Sequence, residues 1–256
     1  MTGHLHLGHL VNAVYVWGIA RALGGTVLLR LEDHDRGRFR PEYESSILDD
    51  LDWLGLTPDM GSTAEFRAGT SPFRQSDNGD RYRDALELLR APDLVYVCDC
   101  RRGDLVPEGE VTGEETHYAG TCRTKDLDDG AHRRLRLRME PGDERFIDLR
   151  LGSERQDPSQ QCGDLVLRDA AGDWTYQFAV TVDDQIQEIG LVIRGEDLLA
   201  STGRQIRLSR LLGRSAPPAF FHHPLVVDAS GRKLSKRDFS KALRDHRAEG
   251  RTPGSL

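Results

Sequence analysis

Cysteine is scarce in this chain, with four among 256 residues. That excludes a small scaffold stapled by disulfides, which carries cysteine at far higher density. Long apolar runs are missing too, so no membrane-spanning helix is expected. Histidines follow Met1 where a signal peptide would carry a basic segment, and no cleavage site follows them. The expectation is a cytoplasmic protein. Positive charge is not in excess: 35 Lys and Arg stand against 42 Asp and Glu, for a net charge of −7. A surface that binds nucleic acid everywhere is thereby excluded, although a local basic face is not. No internal repeat or low-complexity segment is visible, which argues against a solenoid. What is present is a chain with 38% apolar and 30% charged residues, long enough for one large domain or a core domain with an insertion.

Residues Leu7 to Leu23 have helical spacing and end at Gly24-Gly25. Thr26 to Glu32 is a short apolar run of buried-strand type. Pro41 to Leu54 is a second helix, with Ile47, Leu48, Leu51 and Leu54 on one side and Gly55 as its stop. Residues 57–77 are rich in Gly, Ser, Thr and Pro and read as loop. Asp80 to Leu89 is a third helix. This alternation predicts an α/β fold with a Rossmann-type parallel sheet. From residue 97 to 174 the rhythm changes to short strands and turns. Arg134 to Arg138 alternates Arg with Leu, and Leu165–Arg168 and Trp174–Phe178 flank a hairpin-like Ala171-Gly172-Asp173 turn. The rhythm returns with Leu191-Val192-Ile193, a helix from Thr202 to Leu212 and a strand from Pro224 to Val227. The expected organisation is 1–96 as the first half of the nucleotide fold, 97–174 as an inserted α+β subdomain and 175–256 as the second half.

Two motifs at opposite ends point to nucleotide activation. His6-Leu7-Gly8-His9 opens the first helix. A glycine there lets the backbone approach a phosphate, the helix end supplies N–H groups and positive potential, and imidazoles can donate to phosphate oxygens. Lys233-Leu234-Ser235-Lys236-Arg237 places cations in a loop able to meet a departing pyrophosphate. Each is weak alone, as a glycine turn or a solvated basic loop, and specific when both occur.

Cys98, Cys100 and Cys122 cluster in sequence. Cytoplasmic cysteines so spaced suggest zinc, with Tyr118, His117 or water as the fourth ligand. Such a metal would staple an insertion with few apolar residues. Arg30-Leu31-Glu32-Asp33-His34-Asp35-Arg36 follows a predicted strand, where paired carboxylates could grip an ammonium group. Two arginine strips, Arg133, Arg134, Arg136, Arg138 and Arg204, Arg207, Arg210, Arg214, are candidate RNA faces or, more simply, solvated ones.

On these residues the chain resembles the class I aminoacyl-tRNA synthetases of the glutamyl type. Thr2 to His9 is similar to the end of that group's first ATP motif, and Lys233 to Lys236 to its second. Arg30-Leu31-Glu32-Asp33-His34-Asp35, Val192 to Leu198 and Arg204-Gln205 resemble further stretches, so the likeness runs over nearly the whole chain. Tyr96 to Cys100 with His117 to Arg123, the 20 residues after the loop, and Tyr176 to Asp184, as a glutamate-site helix, resemble the group's short tRNA-modifying paralogues. The resemblance implies activation of L-glutamate by ATP without tRNA, then transfer to queuosine in the anticodon of tRNA(Asp). It implies Glu32, Tyr176 and Arg194 for glutamate. For ATP it implies His6, Gly8, His9, Lys233, Ser235 and Lys236, with His6, His9 and Lys236 catalytic and Mg2+ accompanying the nucleotide. One structural zinc is implied on Cys98, Cys100, Tyr118 and Cys122. A monomer is expected, with neither DNA nor membrane as partner.

The group also begins with a strand ending in an Arg-x-Ala-Pro-Ser-Pro-like segment, whereas here Met1 stands directly before Thr2-Gly3. The expectation is that this first strand is missing, exposing apolar surface. Three alternatives accompany the leading reading: a catalytic fragment charging tRNA(Glu), a small-molecule nucleotidyltransferase, and an inactive paralogue that binds tRNA or a partner.

Overall fold

The computed structural model describes residues 3–37, 39–101, 117–226 and 241–256. These fall into two compact units. The first comprises residues up to Asn78, Ile193–Asp197 and the described residues from His222 onward; the second comprises Gly79–Val192 and Leu198–Phe221. The units follow packing, whereas the division at 96/97 and 174/175 follows the alternation of elements.

In the first unit, helix α1 spans Leu7–Ala22. Its composition is apolar, yet none of its residues is buried, and Val14 is 59% exposed. Helix α2 spans Pro41–Leu54, as expected, started by Pro41 and stopped by Gly55 in the left-handed conformation. Leu48 and Leu51 are buried on it as predicted, but so are Ser46 and Asp50. Helix α3, Thr63–Ala68, lies inside the expected loop, followed by a 3-10 turn at Gln75–Asp77. Ser62 caps α3 by accepting from Glu65 N–H at 3.1 Å.

The expected strand over 26–32 is extended but forms no continuous ladder. It makes isolated parallel bridges, Leu28 to Met60 and Leu31 to Arg74. Val27 and Leu29 bond to residues 59–60, and Leu31 bonds to Phe73 and Gln75. Helix α3 sits between those two partner segments in the chain, so pairing breaks into separate bridges. Leu31, Leu48 and Phe66 pack together behind this segment.

The second unit holds helix α4 (Gly79–Arg90) and strands β1 (Val95–Cys98), β2 (Arg134–Leu137), β3 (Glu144–Asp148) and β4 (Gly152–Gln156). Helix α5 (Pro158–Gln161), strand β5 (Leu165–Arg168), helix α6 (Tyr176–Ile186) and strand β6 (Leu191–Gly195) follow. Helix α7 (Thr202–Leu211) and strand β7 (Ala219–His223) come next, and α8 (Leu243–Ala248) returns to the first unit. One sheet, ordered β1-β2-β5, is antiparallel. The other, ordered β4-β3-β7-β6, is mixed: β3 and β4 form an antiparallel hairpin, while Asp148 pairs with Phe220 in parallel. The fold is therefore mixed α/β. The purely parallel sheet is not found among the described residues.

Two local expectations are also corrected. Tyr176–Phe178 is the first turn of α6, not a strand; only Trp174 bridges back to Arg168. The late strand ends at His223, and Pro224–Val226 carries no strand. Proline cannot donate in a ladder, so the strand stops before it. The main core lies between α4, the β1-β2-β5 sheet, α6 and α7. Tyr82, Leu89, Leu135, Leu137, Leu167, Phe178 and Leu208 are almost wholly buried in it.

Candidate active site and metal centre

His6 and His9 are built into the start of α1. His6 is the N-cap: its Nδ1 accepts from Gly8 N–H at 3.1 Å, while His9 Nδ1 accepts from His6 N–H at 3.1 Å. The two rings lie 4.0 Å apart. Because each Nδ1 accepts, each ring proton is assigned to Nε2, the atom able to donate to a phosphate oxygen. Gly8 is needed for this cap, because a Cβ there would stand 2.9 Å from His6 Cε1. Lys233, Ser235 and Lys236 lie outside the described residues.

The acidic segment after Leu31 does not form a carboxylate pair. Asp33 is buried, accepting from Ser76 N–H at 2.8 Å, from Ser76 Oγ–H at 2.7 Å and from Arg74 at 3.3 Å. Arg74 in turn holds Glu44 through both terminal nitrogens, at 2.7 and 2.8 Å. Glu32 lies on the outer side, 3.9 Å from Arg30, with its side chain 41% exposed. Alternation along an extended segment puts neighbouring carboxylates on opposite faces, so Asp33 locks the turn while Glu32 stays accessible.

Arg194, on β6, is 6% exposed and donates from Nε to His222 Nε2 at 3.0 Å. His222 is fully buried. This pairing was not read from the sequence; the His222-His223 doublet before Pro224 was the available signal. Tyr176 belongs to the second unit, at the first position of α6, where the preceding Thr175 hydroxyl anchors the chain by donating to Val166 O at 2.7 Å.

The cysteine cluster is assembled at the end of β1. The sulfurs of Cys98, Cys100 and Cys122 lie within 4.8 Å of one another, all buried. Cys100 and Cys122 are 3.4 Å apart, too far for a disulfide, and every cysteine is free. Tyr118 Oη lies 3.4 Å from Cys98 Sγ and 4.0 Å from Cys100 Sγ, and accepts from Cys122 N–H at 2.9 Å. Tyr118 is placed by its backbone, which bridges to Gly163. Gly163 has φ +64°, and a Cβ there would fall 1.9 Å from Tyr118 O. His117 turns away, pairing through Nε2 with Ser159 O at 3.0 Å. Burial and the neighbouring Cys122 and Cys98 push the Cys100 thiol up to about 11. Burial also opposes ionisation of Cys98, but hydrogen bonds with Tyr118 and Arg136 outweigh it and hold that thiol below its ordinary range. The cluster could therefore hold a metal ion.

Within the two arginine strips Arg136, Arg204 and Arg207 are buried, Arg133, Arg134, Arg138 and Arg214 are half-buried, and Arg210 is exposed. Arg136 is buried with its guanidinium 3.6 Å over the Tyr118 ring, donating to Asp164 O at 2.7 Å. Arg138 donates to Asp93 O and Arg123 O. Arg204 is buried, Arg207 and Arg210 both hold Glu144, and Arg214 donates to Asp184 O and Ile189 O. The buried members of both strips therefore serve as internal donors rather than forming solvated faces.

A family model described as tRNA synthetases class I (E and Q), catalytic domain, matches residues 1–254. The chain belongs to that family and is a ligase of the aminoacyl-tRNA synthetase type. It is similar to a Glutamyl-Q tRNA(Asp) synthetase of Rhodobacter capsulatus, 39% identical over 277 residues, covering 100% of this chain and 95% of the relative. A Burkholderia cenocepacia protein of the same name is 43% identical over 253 residues, covering 94% and 79%. The solved glutamate-tRNA synthetase of Elizabethkingia anophelis matches with a TM-score of 0.77 at 30% identity, over 93% of this chain. The chain spans about half of that solved structure, 51% of its length. No described helix is long and apolar enough to cross a membrane.

Proposed function

We propose that the chain activates L-glutamate with ATP, without tRNA, and transfers it to queuosine in the anticodon of tRNA(Asp). The observation that carries this reading is the 39% identity running across 95% of a relative that bears that activity in its name. In the first step a glutamate carboxylate oxygen attacks the α-phosphorus of ATP. The bond to the bridging oxygen breaks, and pyrophosphate leaves. In the second, a hydroxyl of the cyclopentenediol attacks the acyl carbon; an ester forms, AMP leaves, and the hydroxyl proton passes to solvent.

The residues suit these roles. His6 and His9 present Nε2–H donors to phosphate oxygens at a helix N-terminus, where developing negative charge is favoured. Lys233, Ser235 and Lys236 are assigned to the departing pyrophosphate by the resemblance, and Mg2+ accompanies ATP. Glu32 suits the α-ammonium group, Arg194 suits a carboxylate, and Tyr176 is assigned to the same substrate. The site of action is the cytoplasm.

Cys98, Cys100, Cys122 and Tyr118 fit one structural zinc. Zinc bonded at about 2.3 Å in a tetrahedron sets its sulfurs roughly 3.8 Å apart, close to the spacing found. Its contribution is folding energy, and the residues of the ATP and glutamate sites carry the chemistry.

The test is glutamate-dependent ATP–pyrophosphate exchange without tRNA, followed by transfer of labelled glutamate. Exchange, with label only on queuosine-containing tRNA(Asp), is expected. Label on queuosine-free tRNA(Glu) overturns the acceptor assignment, and no exchange overturns the enzymatic reading.

A further inference from the structure

Strand β2 carries Arg134 and Arg136, with Arg138 just beyond it, at alternate positions that share one side of an extended chain. Leu135 and Leu137 take the other side, in the main core. All three arginines reach residues that form or adjoin the cysteine cluster. Arg134 donates from Nη1 to Cys100 O, and Arg138 donates to the carbonyl oxygen of Arg123, next to Cys122, at 3.2 Å. Arg136, between them in sequence, lies with its guanidinium 3.6 Å over the Tyr118 ring and hydrogen-bonds with Cys98.

Arg136 is 4% exposed, yet no carboxylate pairs with it among the described residues; its Nη1 donates to the carbonyl oxygen of Asp164 at 2.7 Å. The carboxylate of Asp164 is held by other donors. Arg123 reaches it from Nε and Nη2 at 2.6 and 2.5 Å, Tyr96 Oη–H at 2.5 Å and Met139 N–H at 2.8 Å. Asp99, which lies 3.1 Å from Cys122 Sγ, is paired with Lys125 at 3.0 Å. Asp164 and Asp99 are thus each matched by a cation, and Arg136 is left as a buried positive charge. Such a charge is costly unless an anion answers it. Metal binding turns each ligand thiol into a thiolate, and three thiolates exceed a dication by one negative charge.

We propose that Arg136 is the counter-charge of the metal centre: its guanidinium, stacked on Tyr118, balances the excess negative charge of the bound ligands and so sets how tightly the metal is held. The proposal rests on the reading that Cys98, Cys100, Cys122 and Tyr118 hold one zinc. Without metal the buried cation burdens the fold, and with metal it is answered. Removing its charge therefore weakens the loaded protein and spares the empty one, which loss of an ordinary packing residue does not do.

The experiment compares Arg136→Lys, Arg136→Gln and Arg136→Met by zinc competition against a chelator of known affinity, with thermal midpoints of the metal-free and loaded proteins. Lys keeps the charge, Gln keeps a donor for Asp164 O, and Met keeps neither. Gln and Met are expected to weaken zinc binding alike, by about tenfold to a hundredfold, the scale of a lost partner beside metal ligands. Lys is expected to bind zinc more tightly than both, and the metal-free midpoints of Gln and Met are expected not to fall. Zinc affinity retained by Gln, a loss in Lys as large as in Met, or lower metal-free midpoints with affinity unchanged overturns the proposal. The unaltered protein separates the two readings. If it binds no zinc, the zinc reading fails and takes the proposal with it; if it binds one zinc tightly and every variant matches it, only the counter-charge role fails. Should the neutral variants not fold, proton exchange at the Arg136 guanidinium of the unaltered protein decides. Slower exchange with zinc than without supports the proposal, and equal exchange overturns it.

Discussion

Asp50 sits on α2, wholly buried, with neither carboxylate oxygen hydrogen-bonded among the described residues. Arg247 on α8 comes within 3.5 Å of one oxygen. Burial dominates and raises the carboxyl from 3.8 to about 6; Arg247 opposes this, Asp49 adds to it, Arg244 opposes and Asp245 adds. The folded state thus binds the proton more tightly than the unfolded chain. Below pH 3.8 there is no penalty, and stability falls as pH rises toward 6 and stays lowered above it. A difference of 2.2 in pKa corresponds to a cost on the order of 3 kcal/mol at neutral pH, of which about 2 kcal/mol develops between pH 4.5 and 7.5. Asp50→Asn keeps the shape and removes the charge. Its stability relative to the unaltered protein should therefore be about 2 kcal/mol more favourable at pH 7.5 than at pH 4.5. Urea unfolding at both values, followed through Trp53 on the same helix, measures this difference. Groups unaltered by the substitution cancel in the comparison. A pH-independent difference, or one that favours Asp50 as pH rises, would refute the dominance of burial and make the pair with Arg247 the stronger effect.

Protein purified without chelators should carry about one zinc per chain by elemental analysis, and Cys122→Ser should lose it; a metal-free preparation with full stability would sink the zinc assignment. Gly163→Ala forces a left-handed backbone worth about 1–2 kcal/mol on a side chain and drives its Cβ into Tyr118 O, so a thermal midpoint several degrees lower and reduced metal content are expected. Gly8→Ala pushes against the His6 ring and should disturb an N-cap worth about 1 kcal/mol, raising KM for ATP about fivefold with little change in circular dichroism. An unchanged KM would show that the cap does not shape the phosphate site.

Four of the helices were readable from the chain alone. Leu7–Ala22, Pro41–Leu54, Gly79–Arg90 and Thr202–Leu211 each show helical apolar spacing, and Gly55 and Gly24 mark two of their ends. These signals act within a few residues, so no tertiary partner is needed to see them. The cysteine cluster was readable for the same reason, since its spacing lies within one stretch of chain. The start of α1 at His6 to His9 was readable too, although the capping by these histidines was not.

What only the tertiary structure decided depends on partners far away in the chain. Whether 26–32 makes a ladder was settled by residues 59–60 and 73–75. Arg207 looked solvated because Glu144, 63 residues before it, could not be seen as its partner. Asp33 became structural through Ser76, and buried His222 found a donor in Arg194, 28 residues earlier. Apolar periodicity says which face turns inward, but not which donor meets which acceptor there. A buried charge must find its partner wherever the fold brings one, and that choice belongs to three dimensions.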